Sequence, residues 1–250
     1  MKIAIPELDN PIIREATAEF PEVEFVKCED LKGAVELLEG GEVDSVLSGL
    51  DYSSREVLVA YKDGVKLESR FFSSCFICEK GGKYLAIADG GVNKLPNKEQ
   101  FYCLIEDTAK TFVKVFEEQP RIALLSYSTK GSGGKNPDLE KFEFVICEIQ
   151  KNHPDWLIDG EFQLDAAVEE EIGQKKAPGS PVAGRANILI TPDLNSGNIL
   201  YKAMERFGGW TMAGPMIQGF RVPLADLSRG SSVEDVKLTI KVLIKLLKGE

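Results

Sequence analysis

The segment KAPGSPVAGRANILITPDLNSGN, residues 176–198, indicates the architecture of this chain most directly. Its prolines and glycines surround one short apolar run at residues 188–190. Glycine lets the backbone approach a neighbour closely and proline restricts φ, so the segment predicts two rigid loops on either side of a buried strand. Loops that a scaffold holds in this way often carry binding or catalytic groups. The composition alone also fits a loop, strand and loop with a purely structural role.

Outward from this segment, short β-branched runs alternate with stretches of helical periodicity. Such alternation predicts an α/β fold with mainly parallel strands. One part differs, because residues 80–83 join two apolar runs closely enough to predict an antiparallel hairpin. The predicted strands are residues 3–5, 23–26, 45–47, 72–78, 85–88, 122–125, 157–158, 188–190 and 211–213, and the predicted helices are residues 30–38, 99–116, 139–150, 199–207 and 233–247.

Composition excludes several classes of protein. The 250 residues are 43% hydrophobic, which is ordinary for a globular protein of one or two domains. The net charge of −10 disfavours nucleic acid as a partner, since phosphate backbones are bound by clustered Lys and Arg. No apolar run approaches the ~18 residues of a membrane span, and residues 1–10 lack the pattern of a signal peptide. We therefore expect no membrane association and a cytoplasmic location.

Cysteine and histidine usage argues against metal, disulfide and triad chemistry. An odd number of cysteines, five, disfavours a disulfide framework. Cys75 and Cys78 form a CxxC pair, but a strand points residues three apart to opposite faces, so a shared metal or redox pair is disfavoured. The single histidine, His153, precedes Pro154 and is expected in a surface loop. A zinc site and a histidine-based triad lack the required ligands or base.

Polar loops follow several of the predicted strands. The first, SYSTKGSGGK at residues 126–135, has the hydroxyls, lysines and glycines of an anion cradle, although a flexible exposed turn fits equally well. Its candidate ligands are Ser128, Thr129, Lys130 and Ser132. The second, DGEFQLDAA at residues 159–167, carries carboxylates that fit helix caps better than catalytic groups.

The segment DLSRGSSVEDV, residues 226–236, leads into the last predicted helix. A serine there can cap the helix, with an acidic residue in the first turn as in a capping box. Arg229 does not fit this role, because a cation beside a helix N-terminus is unfavourable unless an anion lies between them. Arg229 is therefore a candidate anion ligand.

Six motifs occur in one order with a familiar spacing, and together they resemble the phosphate acetyltransferase (phosphotransacetylase) family. Phosphate butyryltransferases share the KAPGSPVAG segment, but the later motifs favour the acetyl branch. The similarity is dense over residues 121–236 and looser before them. The motifs are STKGS (128–132), DGEFQLDAA (159–167), KAPGSPVAGRAN (176–187), PDLNSGN (192–198), GPMIQG (214–219) and PLADLSRGSSVED (223–235).

The resemblance implies a fold like that of isocitrate and isopropylmalate dehydrogenases, with two α/β domains and an active-site cleft between them. Residues 1–115 and 225–250 would form a first, shortened domain. Residues 116–224 would form a second domain inserted into it. The family implies a homodimer.

The resemblance also implies the reaction, which is acyl exchange between acetyl phosphate and coenzyme A by direct thiolate attack. Coenzyme A is a co-substrate, and no permanently bound cofactor is expected. Asp235 would accept the thiol proton, a role we place ahead of helix capping, Arg229 would hold the acyl phosphate, and Ser228 would donate to the carbonyl oxygen. Ser128, Thr129, Lys130 and Ser132 would line the phosphoryl end, and Asn195, Gly197 and Asn198 would form another wall of the cleft.

Two departures from the family pattern suggest an alternative. A block of the usual N-terminal sequence is missing, and Val59 stands where the family has a substrate-binding arginine, with Arg55 one turn earlier. The alternative is a catalytically weak homologue that binds coenzyme A or an acyl phosphate as a sensor. Acyl chain length is left open.

Overall fold

A computed structural model describes residues 1–135 and 137–248, which form an α/β fold around one mixed sheet. The strands are β1 (Lys2–Ile5), β2 (Glu24–Lys27), β3 (Ser45–Ser48), β4 (Ser73–Lys80), β5 (Lys83–Ala88), β6 (Arg121–Leu125), β7 (Leu157–Phe162), β8 (Ile188–Ile190), β9 (Thr211–Gln218) and β10 (Leu224–Asp226). The helices are α1 (Pro11–Thr17), α2 (Leu31–Glu39), α3 (Ser54–Gly64), α4 (Lys98–Phe116), α5 (Leu139–Asn152), α6 (Leu164–Val168), α7 (Glu170–Lys176), α8 (Leu194–Arg206) and α9 (Val233–Lys248).

The ten strands lie in the order β2-β1-β3-β10-β9-β4-β5-β8-β6-β7. Neighbours are parallel at both ends of the sheet and antiparallel across β10, β9, β4 and β5. As a result, β1, β3 and β10 run in one direction, whereas β5, β8 and β6 run in the other. The loops after these two groups of strands therefore leave the sheet at opposite edges.

The predicted hairpin is confirmed between β4 and β5. Lys80 pairs with Lys83, and the two residues between them, Gly81 and Gly82, both have positive φ, at 59° and 81°. A two-residue turn of this kind matches the twist of the flanking strands, and glycine adopts it without steric cost. The remaining predicted strands are also observed, although the short strand β10 has no counterpart in the prediction.

Two details of the sequence prediction are corrected. Residues 192–198 are not a turn ahead of a helix, because α8 already begins at Leu194, and the Asp193 side chain caps it by accepting the Ser196 N–H at 2.8 Å. His153 is half-buried rather than a plain surface residue. Its Nε2 lies 2.7 Å from Glu106 Oε1, and its ring stacks on Trp156. Glu106 is distant from His153 in the sequence, so local spacing does not reveal this contact.

The hydrophobic core has one layer on each face of the sheet. One layer is continuous along the sheet, and the other is divided into two clusters. On one face, α1, α4, α5 and α9 cover one cluster that extends along the whole sheet. On the other face the buried residues form two clusters, one under α2 and α3 and one under α8 and the loop after α7. The alternation of strand side chains produces this division, and it places Cys75 and Cys78 in different clusters on opposite faces, as predicted.

Candidate active site

One candidate site lies at the sheet edge where β1, β3 and β10 end. Glu7, just after β1, is buried, and its carboxylate accepts the Gly49 N–H at 3.0 Å and the Asp51 N–H at 2.9 Å. Burial raises the pKa of Glu7, against the lowering effect of these backbone donors. The side chain therefore holds the loop after β3 in place beneath the N-terminus of α3.

The loop after β3 approaches the segment after β10 very closely. Gly49 has φ of 119°, and a Cβ at this position would overlap the Leu227 carbonyl and lie 2.5 Å from Asp226 Oδ1. The Leu227 N–H donates to the Ser48 carbonyl. Only glycine permits both this φ and this distance, so the two loops form one unit.

Asp226 is the buried acid of this unit. It is 1% exposed, and burial first, with the nearby charge of Glu7, raises its pKa to about 7 despite a hydrogen bond from Ser54. Within residues 1–135 and 137–248, its Oδ1 has no hydrogen-bond partner. Our sequence reasoning missed this residue, because nothing in the sequence shows that a strand end would be covered by Gly49.

Ser228 and Arg229 follow directly in the loop to α9. Ser228 is half-buried and Oγ accepts the Gly230 N–H at 3.4 Å, while Arg229 is exposed. Hydrogen bonds from Ser53 lower the pKa of Glu56 in the first turn of α3, and the Arg229 charge lowers it further. The Arg229 guanidinium thus lies close enough to α3 for electrostatic interaction, and it remains open to solvent.

Asp235, in the first turn of α9, is buried and fully engaged as a cap. Its Oδ2 accepts the Ser232 N–H and the Ser232 hydroxyl, both at 2.7 Å, and its Oδ1 accepts the Met212 N–H at 2.8 Å. Ser232 Oγ in turn accepts the Asp235 N–H at 3.2 Å, which completes a capping box. Oδ1 accepts a single hydrogen bond, so it keeps one acceptor site beside the Met212 N–H.

Val59 and Arg55 both project from α3 on the same side of the sheet. Val59 is 50% exposed, which is unusual for a valine, and Arg55 is exposed in the first turn. Val59 lies three residues after Glu56, so the two side chains are neighbours on the helix surface. The uncharged Val59 side chain therefore lies beside Glu56, whose pKa the Arg229 charge also lowers.

A second group of candidate residues lies at the opposite sheet edge. The loop after β6 is stabilised by its own hydroxyls, since Ser128 Oγ accepts the Gly133 N–H at 2.8 Å, Ser132 Oγ accepts the Thr129 N–H at 3.0 Å, and Thr129 Oγ1 accepts the Gln163 N–H at 2.9 Å. These hydroxyl oxygens are occupied by backbone donors.

Asp159 connects this loop to the segment with which the sequence analysis began. Its carboxylate pairs with the Lys130 ammonium and accepts the Ser180 hydroxyl at 2.5 Å. Ser180 Oγ accepts the N–H groups of Val182 and Ala183, at 3.2 and 3.1 Å. The motifs STKGS, DGEFQLDAA and KAPGSPVAG thus meet around one carboxylate, and Lys130 is already paired.

Asn195, Gly197 and Asn198 lie in the first turns of α8, at this same edge. A Cβ on Gly197 would overlap the Asp89 carbonyl, and Asn198 Nδ2 donates to the Gly90 carbonyl at 3.1 Å. These two residues hold α8 against the loop after β5, whereas Asn195 is exposed.

The two groups are separated by the length of α8. This helix has 13 residues and therefore extends about 20 Å from the PDLNSGN motif to its C-terminus. At that end, Arg206 Nη2 donates to the Gly230 carbonyl at 3.0 Å. The structure thus brings Ser228, Arg229 and Asp235 together and places the other seven predicted residues at the far end of the helix.

Comparison with known sequences identifies the family of this chain. The model of the family described as "Phosphate acetyl/butaryl transferase" matches residues 13–244. The chain belongs to this family. The matched residues include both groups of candidate residues, one at each of the two sheet edges.

Two curated members of the family show the extent of the similarity. A phosphate acetyltransferase from Haemophilus influenzae is 39% identical over 206 residues, covering 82% of this chain and 29% of the relative. One from Clostridium acetobutylicum is 38% identical over 217 residues, covering 83% of this chain and 64% of the relative. The chain thus spans less than two thirds of the length of these relatives.

Solved structures show the same fold. A phosphotransacetylase from Streptococcus pyogenes is 27% identical with a TM-score of 0.86, covering 99% of this chain and 94% of that one. A 4-hydroxythreonine-4-phosphate dehydrogenase from Salmonella typhimurium is 12% identical with a TM-score of 0.59 and covers 98% of this chain and 99% of that one, a similarity of fold alone.

The described residues contain neither a metal-binding cluster nor a membrane-spanning helix. Within residues 1–135 and 137–248, no group of three or more His, Cys, Asp or Glu side chains is placed to hold a metal ion. In the same residues, no helix has the length and apolar character required to span a bilayer. All five cysteines are free thiols.

Proposed function

We propose that this chain is an acyltransferase that exchanges an acetyl or other short acyl group between acyl phosphate and coenzyme A. The observation that supports this most strongly is the exposed Arg229 beside Ser228 in the loop before α9, with Asp235 in the first turn of that helix, all at family motif positions. A guanidinium presents N–H donors in a fork that matches two phosphate oxygens. Coenzyme A is the co-substrate, and no permanently bound cofactor is part of the proposal.

In the proposed reaction, Arg229 holds the phosphoryl group of the acyl phosphate. The thiolate sulfur of coenzyme A forms a bond to the acyl carbonyl carbon, the bond from that carbon to the phosphate oxygen breaks, and inorganic phosphate leaves. Ser228 donates a hydrogen bond to the carbonyl oxygen as negative charge develops on it. Asp235 accepts the thiol proton, and Oδ1, which accepts only the Met212 N–H, offers the acceptor site for it.

We further propose a division into a first domain, residues 1–115 and 225–250, and a second, residues 116–224, with the site in a cleft between them. What supports it is the hydrophobic core, which is continuous on one face of the sheet and split into two clusters on the other. Arg229 and α3 belong to the first part, and α8 belongs to the second. A homodimer is proposed from the family resemblance alone.

The remaining predicted residues have a different kind of support. Their role in substrate binding rests on the motif match alone, because the structure engages most of them with neighbouring backbone or side chains. They are Ser128, Thr129, Lys130, Ser132, Asn195, Gly197 and Asn198. Since they lie about one helix length from Arg229, we assign them to parts of the substrate remote from the reacting atoms.

The test is thioester formation from acetyl phosphate and coenzyme A by the wild type and by Arg229→Ala, Asp235→Asn and Ser232→Ala. Loss of a positioned proton acceptor typically costs about 10²–10⁴-fold in rate, so we expect a loss of this size for Asp235→Asn. Arg229→Ala should raise the KM for acetyl phosphate about tenfold or more.

Ser232→Ala is the matched control, because it removes part of the same cap and leaves the carboxylate. It should cost about 1 kcal/mol of stability and only a few-fold in rate. Equal loss in Ser232→Ala and Asp235→Asn would reduce Asp235 to a cap. A wild type that binds coenzyme A without any turnover would instead support the sensor alternative. Thioester formation from propionyl and butyryl phosphates then shows which acyl chain lengths the protein accepts.

A further inference from the structure

Arg206, at the C-terminal end of α8, contacts the loop that carries Arg229. Its Nη2 donates to the Gly230 carbonyl at 3.0 Å and lies 3.3 Å from Glu205 Oε1. Both contacts use the same nitrogen, whereas a guanidinium has five N–H donors. The Arg206 side chain is 56% exposed, so donors remain available to a ligand in solution.

The end of the Arg206 side chain lies directly against the backbone of this loop. A Cβ on residue 230 would lie 2.5 Å from Arg206 Nη2, so a side chain there would displace the guanidinium. The carbonyl that Arg206 binds belongs to the residue directly after Arg229. This hydrogen bond therefore holds the Arg206 guanidinium next to the Arg229 backbone.

Charge near this contact is mixed and partly buried. Burial raises the pKa of Glu205. The Arg206 charge acts against this rise, and the Asp235 charge adds to it. Glu205, which pairs with Arg206, is thus within electrostatic reach of the proposed proton acceptor. A dianionic phosphate carries more negative charge than the single guanidinium of Arg229 offsets, so a second cation beside it would be favourable.

We propose that Arg206 is a second phosphate-binding residue of this site, on the opposite side from α3. It belongs to residues 116–224 and Arg229 to residues 225–250, so a phosphate between them would join the two proposed domains. This inference rests on the proposed function. The phosphate belongs either to the acyl phosphate or to coenzyme A, and both present the same oxyanion chemistry to a guanidinium.

Steady-state kinetics of Arg206→Gln and Arg206→Lys test the proposal with both substrates varied separately. Arg206→Gln keeps an N–H donor for the Gly230 carbonyl and removes the charge. We expect it to raise one KM roughly tenfold to a hundredfold, to weaken the salt dependence of that KM, and to change kcat less. Arg206→Lys should recover part of the loss. A rise in the KM for acetyl phosphate assigns the acyl phosphate, and a rise in the KM for coenzyme A assigns that substrate.

Lys151→Gln is the matched control, since Lys151 is an exposed cation at the end of α5 on the other face of the sheet. Both KM values should stay unchanged in this variant. If Arg206→Gln leaves both KM values unchanged, or lowers only kcat, Arg206 is a tether for the loop and the proposal is overturned.

A wild type without turnover overturns the proposed function rather than this inference. In that case, calorimetric titration with inorganic phosphate decides. Binding to the wild type that is weakened at least tenfold in Arg206→Gln supports Arg206, and equal binding by both overturns it.

Discussion

Asp235 shows how one side chain can satisfy two demands at the residue scale. Its two oxygens accept hydrogen bonds from Ser232 and Met212, which fixes the start of α9 against the start of β9. A carboxylate has about four acceptor sites, so these three hydrogen bonds leave one on Oδ1. The same side chain can therefore cap the helix and still offer an acceptor site for a proton.

Asp226 has the opposite character, because it is buried with one oxygen unpartnered and its pKa is raised to about 7. In the unfolded chain the carboxyl titrates near its usual value of about 4. Between these two values the folded protein binds a proton that the unfolded chain has released. The contribution of Asp226 therefore destabilises the fold progressively as pH rises through this window.

We expect Asp226→Asn to remove this pH dependence. Between pH 5 and pH 8, denaturant unfolding should show the variant gaining up to about 3 kcal/mol of stability relative to the wild type, because about two pH units of the window lie above pH 5. Glu7→Gln is a useful comparison, since the Glu7 pKa is also raised but its carboxylate is held by backbone donors. A stability difference that does not vary between the two pH values would show that Asp226 is ionised at both.

At the scale of elements, α8 is the structural link between the two groups of candidate residues. Its N-terminus packs on the loop after β5 through Gly197, and its C-terminus contacts Gly230 through Arg206. A shift of this helix along its axis would change both sheet edges together. Close packing at Gly197 is therefore expected to affect the contact between Arg206 and Gly230 at the other end of the helix.

Gly197→Ala should destabilise the protein, because the new methyl group would overlap the Asp89 carbonyl and lie 2.7 Å from Thr191 Oγ1. We expect a loss of about 1–3 kcal/mol, measured by denaturant unfolding, with a larger KM for at least one substrate. Gly33→Ala in α2 is the control, since its nearest neighbour would be 3.5 Å away and alanine favours the helix by up to about 1 kcal/mol. Equal effects of the two substitutions would contradict the proposed packing role.

At the scale of the whole molecule, the central strands tie both faces of the sheet together. Cys75 and Cys78 lie on β4 in separate hydrophobic clusters, and burial raises the pKa of both thiols strongly. If the molecule unfolds as one unit, both thiols should become exposed in the same transition. The two thiols thus report on the two faces independently.

Thiol alkylation across a denaturant series, read by peptide mass spectrometry, tests this expectation. Cys147 is exposed and should react in the native protein, whereas Cys75 and Cys78 should react only at the global unfolding midpoint. Cys28, with its pKa raised to about 11 by burial and nearby acids, should react slowly. Reaction of Cys78 well below the midpoint, with Cys75 still protected, would show that the α8 face opens by itself.

Much of the architecture could be predicted from local sequence. The hairpin turn needed two residues with positive φ and has two glycines, and β8 is a continuous apolar run. β10 was not predicted, because Leu224–Asp226 follows Pro223 and leads directly into a polar loop, so its two apolar residues do not stand out as a strand. The N-terminus of α8 was misplaced, since Asn, Ser and Gly in its first turn are residues that also favour turns.

The sequence by itself determined the alternation of strands and helices and the motifs that define the family, because both depend on neighbours within a few residues. Only the tertiary structure decided that β5 and β10 run in opposite directions, and so separated Asn195 from Arg229 by a helix length. It also decided that Asp226 is buried beneath Gly49 and that Arg206 reaches Gly230. Those contacts join residues far apart in the chain, and their energies depend on burial and distance, which no local pattern of residues records.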